Sequence, residues 1–301
     1  MVRIASRVLI ALVLAATAGP VAALEVFACT PEWGALAREL GGERARVYTA
    51  TTALQDPHRI EARPSLIARA RRADLVVCTG AELEAGWLPL VLAQSGNARI
   101  QPGQRGYFEA ASAARLIEVP ERVDRSMGDV HAAGNPHLHL DPRNVSRVAK
   151  ALAARMSVLN ATNASFFMAR ELDFQRRWAA ASARWEREAA PLRGLPLVVH
   201  HKNLSYLIDW LGLREVGSLE PKPGIPPSAA HLADLLAALK LAPAKAVARA
   251  AYNDARAAEW LAREARIPAV VLPYTVGGTE GAKDLFGLYE DTLERLLAAA
   301  R

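Results

Sequence analysis

Three of the chain's seven histidines, His131, His137 and His139, fall within one short stretch, G-D-V-H-A-A-G-N-P-H-L-H-L-D-P, residues 128–142. Imidazole is the commonest protein ligand for borderline metals, so a clustered set points to metal chemistry. Gly134-Asn135-Pro136 encodes a turn, and Pro136 biases Asn135 towards extended backbone, so His137 should leave the turn in a defined direction. Two other segments place histidine after a strand-like run: Q-D-P-H-R-I-E carries His58, and L-P-L-V-V-H-H carries His200 and His201. Zinc takes about four ligands from neutral imidazole, thiolate or carboxylate, commonly from separate segments. The loop Y-T-V-G-G-T-E-G-A-K-D offers a carboxylate for the fourth place, from Glu280 or Asp284.

These residues must be positioned by a scaffold, and the hydrophobic pattern supplies one. Leu24 to Cys29 reads as a strand, Trp33 to Leu40 as a helix closed by Gly41-Gly42, and Arg46 to Thr51 as a strand. Pro64 to Arg72 follows as a helix, Asp74 to Cys78 as a buried strand and Leu83 to Gln94 as a helix, whereas Ile100 to Arg125 shows no ordered pattern. Helical spacing returns after the histidine stretch. From Asn163 to Ala190 it predicts one helix about 40 Å long, well suited to joining two lobes rigidly. The alternation then resumes: strand Leu195–His200, helices Leu204–Leu211 and Ala229–Leu241, strand Ala246–Tyr252, helix Ala255–Ala265, strand Ala269–Tyr274 and helix Leu285–Ala300. The expectation is α/β: two doubly wound parallel-sheet lobes joined by one long rigid helix, with ligands outside the carboxyl ends of the strands. The lobes are placed at 24–159 and 191–301, with the linking helix at 160–190. No internal repeat is legible.

Composition is that of an ordinary globular chain, 51% apolar and 23% charged. The start differs: basic M-V-R-I-A-S-R, an uncharged apolar run, then G-P-V-A-A with small residues at Val21 and Ala23. That pattern predicts a secretory signal peptide over residues 1–23, and hence an exported, soluble protein. Removing it takes away Arg3 and Arg7 and lowers the formal charge from +6 to +4. The remaining basic residues form no stripe interleaved with aromatics, which argues against a nucleic-acid partner. Cys29 and Cys78, the only two cysteines, each close a strand-like run, and in an oxidising compartment a disulfide between them is expected.

Q-D-P-H-R-I-E-A-R-P-S, G-N-P-H-L-H-L-D-P and H-K-N-L-S-Y-L-I-D-W-L-G-L resemble, in order, the three histidine blocks of the zinc/manganese-binding solute-binding proteins of ABC transporters. A-D-L-V-V-C-T-G-A-E-L-E resembles that family's strand before a G-x-x-L-E turn. The resemblance covers nearly the whole chain after the signal segment. It implies one metal in the cleft between the lobes, with His58, His137 and His201 as ligands, and a periplasmic monomer that delivers its metal to a membrane ABC permease. Histidine in the third block favours Zn2+ over Mn2+, as does borderline-soft imidazole ligation. The family's fourth block usually supplies an aspartate just after the last strand, where this chain reads P-Y-T-V-G-G. Glu280 is therefore the expected fourth ligand. Gly277, Gly278 and Gly281 would let the backbone bring it inward, while Asp284 is placed to cap the last helix. His139 and His200 are expected as supporting or entry residues, and His131 is all that stands where many relatives carry a histidine-rich loop.

A different class of function would use the same histidines. An exported zinc hydrolase would need an open coordination position and a nearby general base, for which Glu61 is the candidate. No H-E-x-x-H or G-x-S-x-G motif accompanies it.

Overall fold

The computed structural model describes residues 23–124 and 127–301. Apart from Ala23, the expected signal peptide lies outside the described residues. No described helix is long and apolar enough to cross a membrane.

Two four-stranded parallel sheets form the two lobes. The first contains β1 (Leu24–Ala28), β2 (Ala45–Thr49), β3 (Leu75–Cys78) and β4 (Tyr107–Glu109), in the order β2-β1-β3-β4. The second contains β5 (Pro196–Val199), β6 (Arg214–Ser218), β7 (Ala246–Ala250) and β8 (Ala269–Leu272), in the order β6-β5-β7-β8. In each, the chain starts on an inner strand, moves to one edge and then crosses back, which opens a crevice at the carboxyl ends. Strands β4 and β6 were not anticipated by the sequence pattern. The first is three residues long, and the second, R-E-V-G-S, is an edge strand with a single large apolar residue.

Side-chain alternation sorts each sheet between two cores. Leu75 and Val77 of β3 face the interior shared by both lobes, whereas Val76 and Cys78 face an outer layer with Leu66, Trp87 and Val91. Likewise Leu197 and Val199 of β5 face the shared core, and Val198 packs against Leu235 and Leu261.

Prolines and side-chain caps set the helix starts. Pro31, Pro64 and Pro142 open α1 (Pro31–Gly41), α2 (Pro64–Arg72) and α4 (Pro142–Leu159), and Asp141 also accepts from the Arg143 N–H. Helix α3 (Leu88–Ser95) starts later than the sequence predicts: Ala81 and Glu82, left-handed at φ 48° and 66°, open a run of turns that lasts to Trp87. The long helix is α5 (Ala164–Glu188), 25 residues and hence about 38 Å, and it links the lobes. Its buried face carries Phe167, Phe174, Trp178 and Trp185, and the last three meet Phe286 or Tyr289 of α9 (Leu285–Ala299). Helices α6 (Ser205–Leu211), α7 (Ala229–Leu239) and α8 (Ala255–Ala265) complete the second lobe, with Ser228 and Asp254 capping the last two.

Cys29, just past β1, and Cys78, at the end of neighbouring β3, form the expected disulfide, with Cα atoms 4.8 Å apart. The bridge closes a loop of 49 residues, enough to stabilise the chain by about 2–4 kcal/mol through the unfolded state. Denaturant unfolding of a Cys29→Ala/Cys78→Ala double variant should show that loss, and unchanged stability would assign the bridge no role in folding.

Candidate metal centre

The carboxyl ends of the two sheets face each other, and three histidines converge there. His58 comes from the loop after β2, His201 follows β5, and His137 comes from the segment that runs between the lobes before α4. One ligand-capable atom from each lies within 4.8 Å of the other two. The rings of His58, His137 and His201 stand edge to face, with centroids 5.4–5.9 Å apart.

Each ring is held by its Nδ1. His58 Nδ1 is 2.8 Å from Asp56 Oδ1, His137 Nδ1 is 2.8 Å from the Tyr274 hydroxyl, and His201 Nδ1 is 2.6 Å from Glu220 Oε2. An Nδ1–H donating to these acceptors leaves Nε2 as the bare nitrogen in all three rings. His58 Nε2 is buried with no hydrogen-bond partner among the described residues, as a nitrogen reserved for a metal would be. The acceptors are fixed in turn. Asp56 also accepts from the His58 N–H and Glu220 from the Gly224 N–H, at 3.0 and 2.7 Å. Burial pushes the Asp56 carboxyl upward, but the His58 hydrogen bonds and charge outweigh it and hold the group below its usual range.

Local sequence explains how these side chains arrive. Gly134, at φ 109°, occupies backbone that favours glycine, and a Cβ there would come within 2.8 Å of the Ile117 carbonyl oxygen. After that turn Asn135 Oδ1 accepts from the His137 N–H, and Asn135 Nδ2 donates to the Lys202 carbonyl, so this segment is tied to the His201 loop. Tyr274 takes left-handed backbone, φ 64°, immediately after β8. Its hydroxyl reaches His137, and its carbonyl accepts from His139 Nε2 at 2.8 Å. His139, fully buried, thus supports the site from behind.

The structure does not bring Glu280 to the three imidazoles. It is exposed, at the tip of a turn closed by the Gly277 N–H donating to Ala282 and by Thr279 bonding Asp291. The glycines that give this turn its freedom fold it back on α9 instead of into the cleft. Asp284 caps α9 as expected, accepting from the Gly287 N–H at 2.8 Å. Glu61 is exposed as well. His131 stacks on His58 with centroids 5.4 Å apart, at the rim, and burial with the charge of His58 lowers it to about 4. Asp56, Glu220 and Tyr274 were not singled out from sequence. The one legible signal was position, since all three stand in segments that follow strands.

The family model of the periplasmic component A of the zinc-uptake complex, ZnuA, matches residues 26–299. The chain belongs to this family. Its members are periplasmic, bind divalent metal ions and work with ABC permeases as binding proteins, not enzymes. A crystal structure of ZnuA superposes with TM-score 0.75 at 21% identity, covering 92% of this chain and 99% of that one. A mutant of the laminin-binding adhesin Lmb of Streptococcus agalactiae gives 0.76 at 19%, with 92% and 100% covered. A manganese-bound periplasmic metal-binding protein of Candidatus Liberibacter asiaticus gives 0.73 at 16%, with 92% and 99% covered. At these identities the superpositions speak for the fold. Against the curated proteins the chain has no significant match.

Family membership makes the protonation state of the site a matter of function, because only neutral imidazole ligates. Burial, then the neighbouring His58 and His201, lowers His137 well below its ordinary 6.5. A lowered value means the unfolded chain binds this proton more tightly. The contribution of His137 is therefore present above about pH 6.5 and is lost as pH falls below it, at up to about 1.4 kcal/mol per pH unit. Glu84, raised to about 7 chiefly by burial, acts oppositely, losing stability as pH rises from 4.5 through 7. The comparison must therefore be between variants. Metal-free His137→Gln should lose less stability than the parent between pH 7 and 5.5 in denaturant titrations, and equal slopes would mean that His137 is not held neutral.

Proposed function

We infer that the protein captures Zn2+ in the periplasm through His58, His137 and His201 and hands it to a membrane ABC permease. The observation that carries this is the matched support of three rings from three segments, each with Nδ1 engaged and Nε2 left for the ion. A histidine whose second nitrogen is fixed by a carboxylate, carbonyl or hydroxyl is the usual support for a metal ligand, and losing such support costs about 10–100-fold in affinity. Imidazole donors without a protein carboxylate among them favour Zn2+ over harder Mn2+. The chain acts as a monomer, delivering the ion from the open ends of its two sheets, with residues 1–23 directing export.

Asp56 and Glu220 are engaged with the rings of His58 and His201, and Glu61, the general base named for a hydrolytic reading, faces solvent.

Competition titrations against a zinc chelator test the ligand set. Removing any one imidazole, as in His58→Ala, His137→Ala or His201→Ala, should weaken zinc binding by at least about 100-fold, and Tyr274→Phe by about 10-fold. Glu280→Gln should change it by less than about 3-fold, as expected for an exposed side chain outside the cluster. A large loss in Glu280→Gln, or tighter binding of Mn2+ than of Zn2+ by the parent protein, would overturn the assignment.

A further inference from the structure

Beside the three imidazoles lies a cavity of about 760 Å3, and His58 and His201 form part of its wall. Its charge is of the sign that draws in a cation. Asp56, Asp129, Glu220 and Asp254 line it, against the guanidinium groups of Arg59 and Arg256. Arg59 is paired with Asp129 and Arg256 with Asp254, so the uncompensated carboxylates are Asp56 and Glu220. These are the two that hold His58 and His201. The rest of the wall includes apolar Leu232, Ala257 and Trp260. A cleft with an excess of one charge and walls of low dielectric concentrates the opposite ion.

His200 adds a donor to this wall, with only 7% of its side chain exposed. Its Nδ1 is buried, which leaves Nε2 as the nitrogen that can meet an ion. Nε2 stands 4.0 Å from Glu220 Oε1, beyond hydrogen-bonding distance. Glu220 reaches its other partners, His201 Nδ1 and the Gly224 N–H, through Oε2 alone, at 2.6 and 2.7 Å. Oε1 accepts no hydrogen bond among the described residues. A nitrogen and an oxygen bound to one zinc ion each lie about 2.0–2.2 Å from it, so a single ion can bridge a gap of up to about 4.2 Å.

We propose that His200 Nε2 and Glu220 Oε1 form a second, weaker cation site, where a divalent metal ion pauses on its way to the three imidazoles. The proposal rests on the three-histidine reading above, which gives the ion its destination. Glu220 belongs to both places, holding the ring of His201 with one oxygen and receiving the incoming ion with the other. Two protein ligands completed by water hold an ion less tightly than three imidazoles do. A place of transit requires that, since it must be favourable enough to enter and weak enough to leave.

Calorimetric titration of the full protein with Zn2+ should show one tight equivalent and then a second, weaker one that His200→Gln abolishes. In stopped flow, His200→Gln should slow zinc uptake from a weak fluorescent indicator about tenfold. Release to excess chelator should slow by the same factor, which leaves the tight-site affinity within about 3-fold of the parent. Mere disturbance of the neighbouring His201 would instead weaken the tight site, and that result overturns the proposal. Ring 15N spectra of the parent need no variant: the His200 signal should shift with the second equivalent, after His58, His137 and His201 have shifted with the first. Binding that stops at one equivalent, a His200 ring unmoved by the second, or unchanged uptake in the variant also overturns the proposal and leaves the three-histidine reading standing. Absence of the tight equivalent from the parent refutes that reading, and the transit site with it.

Discussion

Three imidazoles from three separate segments are crowded together, one nitrogen of each within 4.8 Å of the other two, and the elements around them are arranged to hold them so. Protonating one ring raises the cost of protonating the next, and burial adds to that cost by removing the water that would solvate the charge. His137, at 2% exposure, carries both effects and is lowered well below its ordinary value. Each acceptor, a hydroxyl or a carboxylate from a different element, holds one Nδ1–H and fixes the orientation of its ring. A base set that is already oriented avoids most of the reorganisation that metal capture would otherwise require.

That arrangement depends on the lobes keeping their relation to each other. Tyr274 and Thr275, just past β8 in the second lobe, reach His137 and the buried Glu32 of α1, the latter through Thr275 Oγ1 donating at 2.6 Å. Glu32 also accepts from Thr30, and Tyr289 of α9 donates to the His139 carbonyl at 2.6 Å. A set of buried polar groups of this kind is costly unless every member is paired, so its presence between the sheets requires them to meet in one register. Beneath it a single apolar cluster runs from Leu24 and Val26 of β1, through Trp178 and Trp185 of α5, to Leu197 of β5. Inter-lobe surfaces that move freely are usually small and polar; this one is continuous with both cores.

Much of this was legible in the sequence because it rests on local signals. Strand-like apolar runs alternating with helices, Pro64 at a helix start and the long helical pattern from Asn163 to Ala190 identified two α/β lobes and the helix between them. Histidines after strands marked His58 and His201 and the histidine cluster marked His137, and the structure brings the three together. What failed depended on tertiary context. Strand β6 contains Arg214 and Glu215 and is a strand only because β5 offers it an edge. The common strand order of the two lobes left no readable repeat, because topology constrains which faces are buried and not which apolar residue buries them. Glu280 was placed in the site by charge and neighbouring glycines, but those glycines serve a turn held by Thr279 and Asp291. Flexible backbone shows that a residue can be moved, and gives no direction.

The same packing bears on how far the two lobes could part. Wide opening about a hinge would separate the Phe174, Trp178 and Phe286 cluster, exposing aromatic side chains that each bury about 150–250 Å2. At roughly 25 cal/mol per Å2, every such side chain exposed would cost several kcal/mol. The His58 loop is held differently on its two sides. Within its own lobe the Pro57 carbonyl accepts from the buried Trp87 Nε1 at 3.0 Å, and Ile60 is buried in the outer core. Towards the second lobe, Arg59 reaches the Gly224 carbonyl at 3.4 Å in a long, solvent-exposed contact. A loop anchored in this way keeps His58 with its own lobe, so the meeting of the three histidines depends on the core that joins the lobes and not on that surface contact.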